Sequence, residues 1–382
     1  MHTLIAIAVV LAAQPGASRN GPAPRVGAAP ADPTPYAVQE VASGLEKPWD
    51  VAFLPSGDVL VTEKPGRLRV IRNGALLDAA VGGTPAVHHA SQAGLFEASP
   101  HPDFAENRLL YLTYAVGRPG ANTLALGRGR YVRTPQGARL EGFEEVFRAD
   151  AVRASDAHYG GRTAWLDDGT LLLTSGDGYR HRYEAQGLDS HFGKVLRLTD
   201  GGAPAPGNPF ANRPGALPEI YTYGHRNPQG IAVADGVVVE TEHGPRGGDE
   251  VNRLIPGANY GWPIATYGLD YSGVRVSPYA DWAGSEQPLA YWTPSIAPSA
   301  LAYYDGAAFP AWRGKLMASA LAGPGVGRHV RLFGADDPDA QATLFAELGA
   351  RVRDVAPAPD GTVWLALEGG GGGRIVRIVP AP

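Results

Sequence analysis

Six times along this chain a small polar turn containing glycine delivers a short aliphatic run, which another turn then ends. PSGDVLVTEKPGRLRVI (55–71) is the clearest instance. NRLLYLTYA (107–115), DDGTLLLTSGD (167–177), ADGVVVETEHG (234–244), RGKLMASALAG (313–323) and PDGTVWLALEGG (359–370) repeat it. The recurrences lie roughly 45 to 80 residues apart, as expected of one supersecondary unit carrying loops of varying length. Each run spans about five to eight residues, the length of a strand and not of a helix. With 51 glycines and 34 prolines, turns are many and no 3.6-residue apolar period lasts beyond two turns. These features predict an all-β chain: a six-bladed β-propeller of four-stranded antiparallel blades, a closed ring with only short edges. The segment 374–379 is expected to close the ring beside the blade that begins near Val38. A two-sheet sandwich is the alternative, but it uses far fewer than the roughly twenty strands this length supplies.

Residues 36–382 are expected to form that single domain. Ahead of it, residues 4–13 are an unbroken apolar run too short to span a bilayer. Gly16, Ala17 and Ser18 follow, so residues 1–17 read as a secretory signal peptide and the mature protein as periplasmic or secreted. His2 is the only candidate positive side chain before the run, and a disordered or anchoring N-terminus is the alternative. Residues 18–35 are rich in Pro, Ala and Gly and read as a disordered tether. There is no cysteine, which excludes disulfides, thiolate catalysis, cysteine-bound zinc and a lipoprotein anchor. The net charge of -5 carries no basic stripe for nucleic acid and no like-charged run for a membrane face.

The densest polar stretch is YTYGHRNPQGIAVADGVVVETEHGPRGGDEVNRLIPGANYGWP (221–263). His225, Arg226, Asn227 and Gln229 share one turn-sized segment. A short apolar run then leads to Glu242, His243, Asp249 and Glu250, so both clusters can meet at one end of a small sheet. The first offers a fixed cation and amides; the second offers carboxylates and free carbonyls suited to a hard cation such as calcium. An anionic planar ligand between guanidinium and metal satisfies both. Taken singly, Arg226 and Glu250 are ordinary loop charges.

Other positions carry weaker signals. His158 precedes a Gly-Gly turn feeding a strand, where a neutral imidazole can accept a proton near pH 7. A hydrogen-bonded loop histidine is the plainer reading, and His181, His191, His225 and His243 are rivals. Arg351 and Arg353 alternate, so in a strand they share a side and need an anion between them. Gln92 lies in a loop, and Asp270 and Glu286 are surface carboxylates that could add oxygen ligands. No dinucleotide fingerprint, GxSxG elbow, HExxH, P-loop or EF-hand loop occurs.

LEKPWDVAFLPSGDVLVTEKPGRL, SQAGL with HPDF, HYGGR, SHFGKVLRL, YGHRNPQG, EHGPRGGDE, NYGWP, EQPLAYW, SIAPS and RVRDV run in order across almost the whole chain. In these motifs the chain resembles the soluble quinoprotein sugar dehydrogenases, in the aldose branch of the glucose/sorbosone dehydrogenase family. The resemblance implies a propeller that holds pyrroloquinoline quinone (PQQ) and calcium and oxidises aldoses at C1 to lactones, passing electrons to a separate acceptor. It implies that His158 is the general base, that Arg226 and Asn227 flank the reactive carbonyl and that Gln229 supports their loop. It assigns Gln92, Arg351, Arg353 and, more weakly, Tyr271 to the cofactor. It assigns Gly244 and Pro245 to calcium through their carbonyls, Glu250 and Tyr260 to a calcium site of the aldose branch, and Asp270 and Glu286 to further calcium. Three departures stand out: Ala157 replaces an aspartate of the glucose-specific branch, a lysine is lost near Ala322, and FEASP replaces a more aliphatic run. Together they bear on how narrowly glucose is selected. A calcium-dependent propeller lactonase and a non-enzymatic sugar- or protein-binding propeller are the competing readings, because propellers host many functions.

Overall fold

The computed structural model describes residues 22–322, 328–369 and 372–382, and these form six sheets around one axis. Blade 1 comprises Pro48–Phe53, Val59–Glu63, Arg67–Arg72 and Ala75–Leu76. Blade 2 comprises Leu95–Pro100, Leu109–Arg118, Ala121–Thr134 and Gly137–Arg148. Blade 3 is Thr163–Trp165, Leu171–Ser175, Lys194–Leu198 and Ile220–Tyr223; blade 4 is Pro228–Ala234, Val237–Glu242, Asp249–Arg253 and Ala290–Trp292. Blade 5 is Pro298–Tyr304, Lys315–Ala320, Val330–Phe333 and Gln341–Leu344. Blade 6 joins Arg351–Pro357, Val363–Glu368 and Gly373–Pro380 to the early strand Tyr36–Leu45. The ring closes as expected, with Val38 opposite Ile378.

Every recurrent unit in the sequence supplies the second strand of its blade. That strand has a neighbour on either side and a blade packed over each face. Its residues therefore read as a continuous apolar run and not as an alternation, a pattern otherwise typical of doubly covered sheets. Val59–Glu63 and Leu171–Ser175 are buried at every position. The cores lie between blades: Trp49, Phe96, Tyr159, Leu171 and Leu196 link blades 1 to 3, and Phe309, Trp312, Val352 and Leu365 link blades 5 and 6.

The tether expectation needs correction over its described part. Arg25–Val26 adds a fifth, parallel strand to blade 4, pairing with Tyr291 and Trp292. Further on, the Asp32 N–H donates to Thr343 O, and the Thr343 N–H donates to Pro30 O. A segment too poor in apolar residues to build a core still finds backbone partners along open sheet edges. Val26 also buries against the Trp292 core. The signal peptide, residues 1–17, lies outside the described residues.

The innermost strands meet around a buried charge cluster. Arg162 donates to Asp50 (2.9 Å) and lies 3.1 Å from Asp354 and 3.7 Å from Glu97, with its guanidinium 4.0 Å above the Trp49 ring. It also donates to the carbonyls of Gln229 (3.1 Å) and Arg353 (3.4 Å). Each carboxylate in turn accepts a backbone N–H from the next blade: Asp354 from Val51, Asp50 from Ala98, and Glu97 from Thr163. Burial, followed by the neighbouring carboxylates, raises Asp50 well above its usual range; burial, with Asp354 adding to it, lifts Glu97 to about 7 against the pull of Arg162 and the Thr163 bonds.

Candidate active site

His158 sits at the entry to blade 3 in the left-handed region, at φ 55°. A side-chain-bearing residue there is strained by roughly 1 to 3 kcal/mol, so the surroundings must hold it. Three amides do so. Gln92 Oε1 accepts the His158 N–H (2.9 Å), Asn227 Oδ1 accepts the Gly160 N–H (3.2 Å), and Gln229 Nε2 donates to Gly160 O (3.0 Å). Gly176 has to be glycine here, because a Cβ on it would meet His158 O at 2.3 Å and Asn227 Oδ1 at 2.9 Å. The residues anticipated as cofactor contacts thus already buttress the turn that presents the imidazole.

The imidazole is buried and its Nδ1 lies 2.7 Å from Asp177 Oδ1. Asp177 also accepts from Tyr179 N–H (2.7 Å) and Trp262 Nε1–H (2.8 Å), so three donors surround one carboxylate. Burial would raise Asp177, but the His158 contact, Arg226 and these bonds outweigh it, and the carboxyl lies below its usual range. An ionised acceptor at Nδ1 keeps the proton on that nitrogen, which leaves Nε2 with a free lone pair. Burial pulls His158 below the ordinary imidazole range; Asp177 works against this and Arg226 reinforces it. The ring is neutral at pH 7 and can take a proton.

Beside it lies a cavity of about 160 Å³ on the propeller axis. Its wall includes Lys64, Arg351 and Arg353, the amides Gln92, Asn227 and Gln229, the rings of Trp49, Phe96 and Tyr159, and His243. Arg351 and Arg353 share a side as expected, and the anion between them is the chain's own Glu368, at 3.0 and 2.9 Å. Burial draws Lys64 down to about 8, with Arg353 adding to the effect. Arg226 donates to the carbonyls of His243 (3.0 Å) and Gly244 (2.8 Å), and its Nη2 lies 3.4 Å from the Tyr271 hydroxyl. Burial, then Arg226, His158 and Arg353, push His243 down to about 3, which places all of these groups around one neutral ring. Its Nε2 bonds to Pro298 O, so Nδ1 is an acceptor.

A second, oxygen-rich cavity lies behind Arg226, bordered by Glu242, Gly244, Glu250 and Tyr260. His225, Glu240 and Glu242 present ligand atoms within 4.8 Å of one another. Burial and Glu242 raise Glu250 well above the carboxylate range and Glu240 to about 7. Burial opposes the charge on His225, but bonds to Glu240 and Glu242 outweigh it and lift the ring to about 9. Glu240 Oε2 and Asn252 Oδ1 are buried without a hydrogen-bond partner. Buried oxygens in excess of donors, two of them unmatched, fit a hard cation.

Several anticipated metal ligands stand elsewhere. Asp270 lies on a surface turn, accepts from the Ser272 N–H (3.1 Å) and hydroxyl (3.0 Å), and pairs with Arg182 at 3.8 Å. Glu286 is half-buried outside the cavity, its N–H held by Asn259 O. Pro245 is buried but does not border the cavity, and the Gly244 carbonyl is already engaged by Arg226. Tyr260 borders the cavity, with its ring stacked on His225 at 4.7 Å. Sequence reading missed Asp177, Lys64 and Glu240 as site groups. Glu240 was recoverable, because it alternates with Glu242 along one strand and so shares its face.

A closed ring of blades with a cationic axial pocket beside a carboxylate-held neutral imidazole defines a propeller enzyme for an anionic, ring-shaped cofactor or substrate. Comparison with known proteins narrows the class. The pattern of the Glucose / Sorbosone dehydrogenase family matches residues 45–377, and the chain belongs to that family. It is an oxidoreductase of sugar CH–OH groups. It is 37% identical to the aldose sugar dehydrogenase of Escherichia coli over 357 residues, covering 92% of this chain and 94% of that one. The crystal structure of the soluble E. coli aldose sugar dehydrogenase in its apo form superposes with a TM-score of 0.84 at 35% identity, over 91% of this chain and all of that one. The PQQ-bound aldose sugar dehydrogenase of Streptomyces coelicolor is 29% identical, with a TM-score of 0.74 over 92% of this chain and 99% of that one.

Proposed function

We propose that this chain binds PQQ in the axial pocket and calcium in the acid-lined cavity, and oxidises aldose sugars at C1 to lactones with His158 as general base. The carrying observation is the His158–Asp177 pair, on a turn held by Gln92 and Asn227, two amides that also line a pocket with three cations. The donor set suits PQQ: a tricarboxylate needs several fixed cations and a flat ring needs aromatic walls, and Lys64, Arg351, Arg353, Trp49, Phe96 and Tyr159 provide both. When bound, PQQ supplies an ortho-quinone able to accept hydride.

The chain's own groups account for the remainder. Asp177 fixes the imidazole with Nε2 unprotonated, and Nε2 takes the proton of the C1 hydroxyl as the C1 hydrogen departs with its electron pair. Arg226, held by two carbonyls, keeps a positive charge beside the developing negative one. Glu240, Glu242 and Glu250 would hold calcium at the back of Arg226. The lactonase reading gives no role to the Lys64, Arg351 and Arg353 group that lines the axial pocket. The reduced enzyme then passes its electrons to a separate acceptor. The apolar N-terminal run supports export to the periplasm or beyond, to be checked by sequencing the mature N-terminus.

The test is to titrate the purified chain with PQQ and calcium and then supply an aldose and a redox dye. Dye reduction that requires both additions is expected. In His158→Ala, turnover should fall by about two to four orders of magnitude with PQQ still bound. Undiminished turnover in that variant removes His158 from the chemistry.

A further inference from the structure

Beneath the turn that carries Asp177 lies an arginine with no acid of its own. Arg153 is fully buried at the crossing from blade 2 to blade 3, where its backbone exchanges two hydrogen bonds with Asn122 (2.7 and 3.2 Å). Nη1 donates to Ala151 O (2.9 Å), and Nη2 donates to Ser175 Oγ and Gly176 O, each at 3.3 Å. Nε is buried without a hydrogen-bond partner. Aromatic rings enclose the guanidinium, with the Tyr159 centroid 4.8 Å and the Phe192 centroid 5.4 Å away. Among the described residues no carboxylate pairs with it, and the acid that acts on it is Asp177.

A charge buried without a counter-ion is costly and persists only where the surrounding fold enforces it. Burial brings Arg153 down to about 10, which still leaves it charged at pH 7. The turn between this cation and the imidazole is pressed from both sides. A Cβ on Gly178 would meet Arg153 Cγ at 3.0 Å and the Phe192 ring at 2.8 Å, while one on Gly176 would meet His158 O at 2.3 Å. Asp177 sits between those two glycines, so cation, anion and neutral ring are held in a fixed order.

Other charges also surround His158. Asp177 and Tyr179 face it from the following loop, and Arg226 and His243 act on it from the loops of blade 4. Asp156, two residues upstream, is occupied by His88 at 2.7 Å. Lys64, Arg351 and Arg353 stand on the wall of the axial pocket. Burial is the first reason that the ring is held low, and Arg226 and Arg153 reinforce it. Arg226 adjoins the exposed Tyr271, whereas Arg153 is sealed from water, so its field reaches the ring unscreened.

Building on the reading of His158 as the base of the dehydrogenase, we propose that Arg153 is a positioning residue of the reaction. It holds the Ser175–Gly176 turn beneath Asp177, and its buried charge keeps the ring neutral while Asp177 orients it. Without that charge, Asp177 draws a proton onto the ring and takes the base out of service at mildly acidic pH.

The experiment uses the full chain carrying Arg153→Met, Arg153→Gln or Arg153→Lys. Histidine-ring NMR follows the protonation of His158 against pH, with the resonance assigned by its absence in His158→Ala. The same Arg153 variants, loaded with PQQ and calcium, are assayed for aldose oxidation over the same pH range. Both neutral variants should raise the His158 midpoint by about half a unit to one unit, and the acid limb of kcat/KM should move with it. Arg153→Lys should keep both near wild type. A midpoint unmoved in both neutral variants overturns the proposal and leaves the dehydrogenase reading intact. Failure of both to fold beside a stable Arg153→Lys also overturns it, since the arginine is then only a scaffold residue. No sugar turnover by loaded wild type overturns the dehydrogenase reading and the role of Arg153 with it, whatever the titration shows.

Discussion

Replacing Asp177 by asparagine changes almost no volume but removes an acceptor from a site that has three donors. Asp177 Oδ1 accepts from His158 Nδ1 and Tyr179 N–H, and Oδ2 accepts from Trp262 Nε1–H. An asparagine can keep its oxygen toward His158 and Tyr179, but its NH2 then faces the Trp262 N–H. A buried donor left without an acceptor costs about 1 to 3 kcal/mol, which for a chain of this size lowers the melting temperature by a few degrees. In the flipped orientation the NH2 faces His158 Nδ1. That drives the ring proton to Nε2, the nitrogen that must be bare to act as base. Loss of the correct tautomer and of general-base assistance costs about 10²- to 10⁴-fold in kcat. Dye-linked turnover of the PQQ- and calcium-loaded variant, with cofactor occupancy measured in parallel, reads the catalytic loss; thermal denaturation reads the stability loss. Turnover within threefold of wild type at equal occupancy refutes the role given to Asp177, whatever the melting temperature does.

Three further outcomes are expected. Because burial holds His158 below the usual 6.5, its base form survives as pH falls, and kcat/KM should decline only through a midpoint below 6.5; a midpoint at or above 6.5 contradicts the buried neutral ring. Calcium added to chelator-treated wild type should raise the melting temperature, and Glu250→Gln should abolish most of that rise; an equal rise in the variant moves the ion away from this cavity. Removing residues 22–35 strips the fifth strand from blade 4 and uncovers the face that buries Val26, so denaturant unfolding should show a loss of at least about 1.5 to 3 kcal/mol. No change in midpoint would show that the segment contributes nothing to the fold.

The fold was legible because propeller blades repeat a local signal. The second strand of each blade is covered on both faces and flanked by turns, so its apolar run survives in a single sequence. The fifth strand of blade 4 was not legible, because Arg25–Val26 has no strand character of its own and takes its partners from an edge formed more than 250 residues later. At the site, the motifs of the resemblance named His158, Arg226, Asn227, Arg351 and Arg353, which the fold brings close to the axial pocket. They said nothing of Asp177 or Lys64, whose importance lies in which distant groups they meet: a loop histidine for one, a pair of arginines from the last blade for the other. Asp270 and Glu286 lie away from the acid-lined cavity. Carboxylates near a metal-binding stretch in sequence need not point toward it, and a surface turn satisfies Asp270 with its own hydroxyl neighbour.

Arg162 has a consequence for how such an enzyme can be taken apart. One guanidinium on blade 3 reaches groups on blades 1, 2, 4 and 6, and two of them, Gln229 and Arg353, also line the catalytic pocket. The floor of the active centre and the keystone of the ring are therefore the same object. No fragment of a few blades can carry the chemistry away with it, and a split version should regain activity only when both halves reassemble around that single side chain.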